Sequence, residues 1–178
     1  IDKDKKEYQI KEQTVYLHLM RTYRELGNWE QVKECKKSIN IQMLNYEERQ
    51  FFYAEECRNN LFRFEAEELI THLKNWNIAQ GDVYWTIVKA YLYTAIGENK
   101  NAEKILMNNL VSVRKQLMRD AQNVYLASVE ESCVSLVNFI RQAEITVSKD
   151  GEKYEKCIHT GLVSWWDENN KYVWNLKT

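Results

Sequence analysis

The sequence has no proline and only five glycines in 178 residues. A fold built on tight β-turns draws on both residue types, so their scarcity disfavours the all-β class and leaves room for long, uninterrupted helices. No apolar run approaches the roughly 18 residues of a membrane span, and no signal-peptide pattern is present, so a soluble chain is expected. The four cysteines are widely spaced, with no C-x-x-C pair. In a helical chain that usage reads as reduced core thiols and predicts a cytoplasmic location. A formal net charge of −1 lacks the basic surplus of a dedicated nucleic-acid binder.

Chemistry is equally thinly provided. His18, His72 and His159 are far apart in sequence and none has a second ligand at i+3 or i+4, so no metal site is expected. Cys157 and His159 stand two apart, which on a helix points them to different faces. The pairs Glu55-Glu56, Glu67-Glu68 and Glu130-Glu131 are adjacent in charge-rich helical stretches and read as solvated faces. No Gly-rich nucleotide loop occurs, so neither a catalytic residue nor a cofactor is expected within this stretch. Ile1 stands first and no stop signal closes the helical pattern, which reads as a segment of a longer protein, with any catalytic domain outside it.

What is present is helical periodicity. A 44% hydrophobic and 29% charged composition fits a folded chain. The organising stretch is Asp82–Leu117, where Trp85, Val88, Leu92 and Ile96 fall about one turn apart before Gly97. Ala102, Ile105, Leu106, Asn109 and Val113 continue the i, i+3, i+4 stripe after it. A glycine ends a helix well, so the stretch predicts an antiparallel pair. Similar units occur upstream, with breaks expected at Gly27, Asn59-Asn60 and Gly81. Downstream, one stripe runs from Met118 through Ile140 to about Val147, with a further break at Gly151.

The units align without internal gaps. Met20, Ala54 and Ala90 share one position, 34 and 36 residues apart; Val32, Ala66 and Ala102 share another at the same spacings. Tyr23, Cys57 and Tyr93 lie three residues after the first set, and Gly27 and Gly97 mark equivalent turns. A small residue, an aromatic, a glycine turn and an alanine at this period resemble the tetratricopeptide repeat. The departures are the missing proline, Leu61 at the second turn's glycine position and Val32 in place of alanine. The resemblance implies an all-α fold of antiparallel helix pairs stacked as a tetratricopeptide-like right-handed solenoid. It assigns three degenerate helix-turn-helix repeats to 1–118, and a long helix with an aromatic C-terminal capping segment to 119–178 of the same domain. A second resemblance is carried by NAEKILMNNLVSVRKQLMRD and VEESCVSLV, within Asn101–Val137. These runs are similar to the helical C-terminal regions of bacterial Sir2-family antiphage defence proteins. That resemblance implies a sensor or scaffold segment attached to an NAD-hydrolysing domain.

In a tetratricopeptide-like stack the first helix of each unit lines a concave groove. The resemblance therefore assigns partner binding to Arg21, Arg24, Phe51, Glu55, Arg58, Tyr84 and Tyr91, an arginine–aromatic mixture of the kind enriched at interface hot spots. The expected function is a protein-interaction or sensor scaffold that takes a protein or peptide ligand. The alternative is a nucleic-acid or nucleotide sensor using the arginines for phosphates and the tyrosines for stacking. The aromatic concentration at Trp165, Trp166, Tyr172 and Trp174 reads either as a cap or as a surface for self-association or contact with a further domain.

Overall fold

The computed structural model describes residues 2–147, and over them the chain is helical throughout. The α-helices are α1 (Asp2–Glu25), α2 (Trp29–Ser38), α3 (Tyr46–Phe62), α4 (Ala66–Asn75), α5 (Val83–Ala95), α6 (Asn99–Leu117) and α7 (Val124–Val147), with a short 3-10 turn at Ile41–Met43. Among the described residues there is no strand, and no helix is long and apolar enough to cross a membrane. The chain divides into two compact units, Ile1–Trp76 and Asn77–Thr178. The division falls inside the stretch 1–118 that the sequence reads as three repeats.

Asparagine and aspartate start several of these helices. The Asn28 side chain accepts from the Gln31 backbone N–H at 3.3 Å, and that of Asp82 from Trp85 at 3.1 Å. Asn45 and Glu48 cap each other reciprocally, each side chain accepting the other's backbone N–H. Such caps satisfy donors that the first helical turn leaves without partners.

Three helix ends close in the same way. The N–H groups of Asn28, Glu65 and Glu98 each reach back five residues, to the carbonyls of Tyr23, Asn60 and Tyr93 at 2.8, 2.9 and 2.9 Å. This pattern needs a residue with positive φ just before the donor. Gly27 (φ 68°) and Gly97 (φ 78°) fill that place in the first and third turns, whereas Phe64 (φ 59°) fills it in the second. The break expected at Asn59-Asn60 therefore lies further on, at Arg63–Glu65. α3 runs on because neither asparagine is needed as a helix stop: Asn60 spends its side chain on tertiary hydrogen bonds. The same shift makes Ala66 the first, exposed residue of α4, although it aligns with buried Ala102. The stripe expected to run unbroken from Met118 also divides. The Asn123 side chain caps a fresh start by accepting from Leu126 N–H at 3.0 Å. The break expected at Gly151 lies outside the described residues.

In the first unit, α1 and α2 run antiparallel, with the side chain of Gln13, midway along α1, accepting from Asn40 N–H beyond the end of α2 at 2.6 Å. Leu17, Met20, Val32, Cys35, Leu44 and Phe52 form the core between these elements. α3 and α4 pair likewise, and the Trp76 indole N–H donates to Gln50 Oε1 at 2.7 Å. α1 and α3 lie side by side in the same direction, as the contacts Thr14–Glu48 (2.6 Å) and Arg24–Glu55 (2.6 Å) require. In the second unit, α6 returns along α5, so that the Asn109 amide donates to the Val83 carbonyl at 3.0 Å. α7 returns along α6, tied by Arg141–Glu103 and Arg114–Glu130, each at 2.6 Å.

Apart from Ala66, the aligned alanines are sealed within the helix packing. Ala54, Ala90 and Ala102 are each 0% exposed. Ala90→Leu is accordingly expected to overpack α5 and cost about 1–3 kcal/mol. A thermal melt checks it; a variant melting with the parent would show that the small side chain is incidental.

Candidate functional site

The arginines and the glutamate assigned to a groove converge in the first unit, but not as a solvent-facing set. Glu55 is fully buried on α3. Arg24 reaches it from α1, with Nε donating to Oε2 at 2.6 Å and Nη2 to Oε1 at 3.4 Å. Arg58, one helical turn further along α3, donates from Nη1 to Glu55 Oε1 at 2.7 Å. The far side of the Arg24 guanidinium lies over the Phe62 ring, 5.2 Å from its centroid. Two arginines against one carboxylate leave a positive surplus, which Glu25 meets from 3.6 Å. The hydrogen bond from Arg21, followed by the charges of Arg21, Arg24 and Arg58, holds the Glu25 carboxyl below its usual value despite partial desolvation.

Three expected exposures are therefore corrected. Arg24 and Glu55 are buried, because a charge carried between two helices is tolerable only when paired and hydrogen-bonded. Tyr84 is buried too, edge-on to Trp85 with ring centroids 5.0 Å apart. Of the others, Arg21 is exposed and donates to Glu25 at 2.9 Å. Phe51 is half-buried against the first unit's core, 5.8 Å from the His18 ring. Tyr91 is half-buried on α5 in the second unit. Trp165, Trp166 and Trp174 lie outside the described residues.

Beside the ion cluster is a feature that the repeat alignment missed. Phe64, Phe62 and Leu26 are 91%, 56% and 73% exposed. Since α1 and α3 run in parallel, their closing turns lie at the same end of the unit, and all three side chains belong to that end. Scattered exposed apolar residues are ordinary on a protein surface. A phenylalanine in the left-handed region is not, since its Cβ crowds the following carbonyl there. The turn is clamped from several sides. Asn60 Nδ2 donates to Glu65 Oε2 at 2.9 Å, while Asn60 Oδ1 lies 2.7 Å from His72 Nδ1 on α4, so this ring nitrogen is assigned the proton. Arg63 pairs with Glu65 at 2.8 Å. The one sequence signal was negative: NNLFRFE breaks a helix without a glycine, although the other two turns have one.

Among the described residues no group of histidine, cysteine and acidic side chains could hold a metal ion. Cys35, Cys57 and Cys133 are all buried. Burial pushes the Cys133 thiol up to about 12, against a smaller opposing effect of the hydrogen bond from Asn109. That thiol is protonated at neutral pH and is no nucleophile. Cys157 and His159 lie outside the described residues. Comparison with protein-family models, curated proteins and solved structures finds no match to this chain.

Proposed function

We propose that the chain is a helical-repeat protein-interaction module that recognises a peptide or protein through the closing-turn end of its first unit, around Leu26, Phe62 and Phe64. The observation that carries this reading is Phe64, a bulky ring presented to solvent on a backbone conformation that glycine would adopt without strain. Strain of this kind persists where the surroundings over-determine it, and it concentrates at ligand-gripping sites. Aromatic anchors backed by well-fixed neighbours are what interface hot spots require. Arg24, Glu55 and Arg58 serve here as the buttress beneath Phe62, not as the contact itself.

Consecutive antiparallel pairs, with α1 and α3 parallel, support the tetratricopeptide-like solenoid as the architecture of the module. The Sir2-family resemblance adds no residue to this surface. The nucleic-acid alternative draws no support from the arginines: Arg24 and Arg58 hold Glu55, and Arg21 holds Glu25. Phosphate contact would first have to break those pairs.

The test is to select peptide ligands for the whole 178-residue chain from a displayed random library and to map one by amide chemical-shift perturbation. Shifts centred on residues 24–28 and 60–66 are expected. Shifts confined to Phe51, Tyr91 or α7 would move the site and refute the assignment.

A further inference from the structure

α6 lies against α5 and α7 and buries Ala102, Leu106, Leu110 and Val113. Another face of the same helix holds Lys100, Lys104, Met107, Val111, Lys115 and Met118, all exposed. Steps of four, three, four, four and three residues keep these six side chains within one narrow arc of a 3.6-residue helix. Met118 follows the last residue of α6 but keeps helical dihedrals (φ −60°, ψ −25°). Met107, Val111 and Met118 are 45%, 55% and 86% exposed, so the arc is apolar as well as basic. Its charge is not answered locally. Glu103, the one acidic residue of α6, is engaged by Arg141, and Glu98 accepts from Asn101. None of the three lysines forms an ion pair among the described residues. In the first unit, by contrast, Lys11, Lys36 and Lys37 pair with Glu7, Glu56 and Glu34.

We propose that this face of α6 binds an acidic amphipathic helix of a protein partner. Charge complementarity selects the sign: three uncompensated ammonium groups call for carboxylates. The one-turn spacing selects the form. A straight stripe from Lys100 to Met118, about 27 Å long at about 1.5 Å per residue, matches a second helix laid along it. Apolar anchors on that helix, about one turn apart, would meet Met107, Val111 and Met118, the recurring way in which helices recognise one another. Methionine suits such a contact because its unbranched side chain adapts to the partner's shape. Two other occupants fit less well. A helix that lies in a membrane surface carries its lysines on the face away from its apolar residues, whereas here both share one arc. Pairing of this face with the same face of a second copy would set lysines against lysines. The inference is independent of the Phe64 surface, which belongs to the other unit.

The test uses the full chain and a fluorescent synthetic helix of about 18 residues, long enough to span the stripe, with leucines one turn apart and glutamates beside them. Titration by anisotropy should show saturable binding that weakens as salt is added, with amide shifts centred on residues 100–118. Replacing Lys100, Lys104 and Lys115 together by glutamine should weaken it about tenfold, through the loss of three exposed charge pairs. Val111→Ser should weaken it as well, and since all four side chains are exposed, both variants should melt with the parent. Phe64→Gly should bind the probe unchanged, which keeps this face distinct from the first unit's surface. No saturable binding, equal binding of a twin peptide with lysine in place of glutamate, or equal binding by the triple variant would overturn the proposal. Lysine-dependent capture by phosphatidylserine vesicles that the probe does not displace would overturn it in favour of a lipid surface. A dimer dissociated by Val111→Ser would overturn it in favour of a second copy.

Discussion

Glu55→Ala is expected to destabilise the first unit by about 3–5 kcal/mol, the scale found when one member of a buried ion pair is removed. Glu55 is one of the larger fully buried side chains, so the substitution opens space between α1 and α3. The larger cost arises from what stays behind: Arg24, itself buried, loses both contacts to Glu55, and Glu25 at 3.6 Å is the carboxylate left to it. Arg58 loses its 2.7 Å partner on the same helix. Urea unfolding followed by circular dichroism measures the effect, and a loss below about 1 kcal/mol would place the cluster with ordinary surface pairs. A companion variant separates charge from packing. Replacing Arg24, Glu55 and Arg58 together by apolar residues of similar volume removes the unpaired charges, and such swaps are often neutral or stabilising. If the triple variant is as damaged as Glu55→Ala, the loss comes from packing and not from stranded arginines.

The same cluster shows how far the sequence could be read. The 34-residue spacing of the first two units pairs Thr14 with Glu48 and Arg24 with Arg58, so that these residues occupy matching places on adjacent, parallel helices. The structure places Thr14 and Glu48 in hydrogen-bond contact, and puts Arg24 beside the Glu55–Arg58 turn. Helix periodicity therefore carried real spatial information. It also located three of the four aligned alanines in the packing, since Ala54, Ala90 and Ala102 are sealed, while Ala66 is exposed. What periodicity cannot give is the identity of the neighbour across the gap. Whether an arginine one turn from a groove faces water or a carboxylate depends on the partner helix, and Arg24 found Glu55. Tyr84 departs from the expectation for a related reason: α5 is buried on most of its circumference, so few of its positions could serve as a groove wall. The second turn lies further on than expected because it has no glycine to mark a left-handed helix end. Phe64 takes that conformation through the Asn60–Glu65–His72 hydrogen bonds, which are visible only once α3 and α4 are paired.

That displaced turn supports the sharpest functional separation. Phe64→Gly is expected to raise stability by about 1 kcal/mol, since it removes the Cβ crowding of a left-handed residue and loses part of that gain to the greater freedom of glycine when unfolded. The Phe64 ring is 91% exposed, so its removal leaves no cavity and forfeits almost no packing. Gly27 and Gly97 already occupy the same place in the other two closing turns. Against a selected peptide ligand the same variant should lose about 2 kcal/mol or more, roughly thirtyfold in Kd, if the ring is the central anchor. Phe64→Ala completes the comparison: it retains the Cβ and hence the strain, so its stability should stay close to the parent's while its binding falls as far as that of Phe64→Gly. Thermal melts and titration calorimetry on the three proteins decide the matter. A chain that becomes more stable and still binds as tightly would mean that the exposed ring has no part in recognition. A chain destabilised by glycine would mean that Phe64 is held by packing, and the backbone argument for this surface would fail with it.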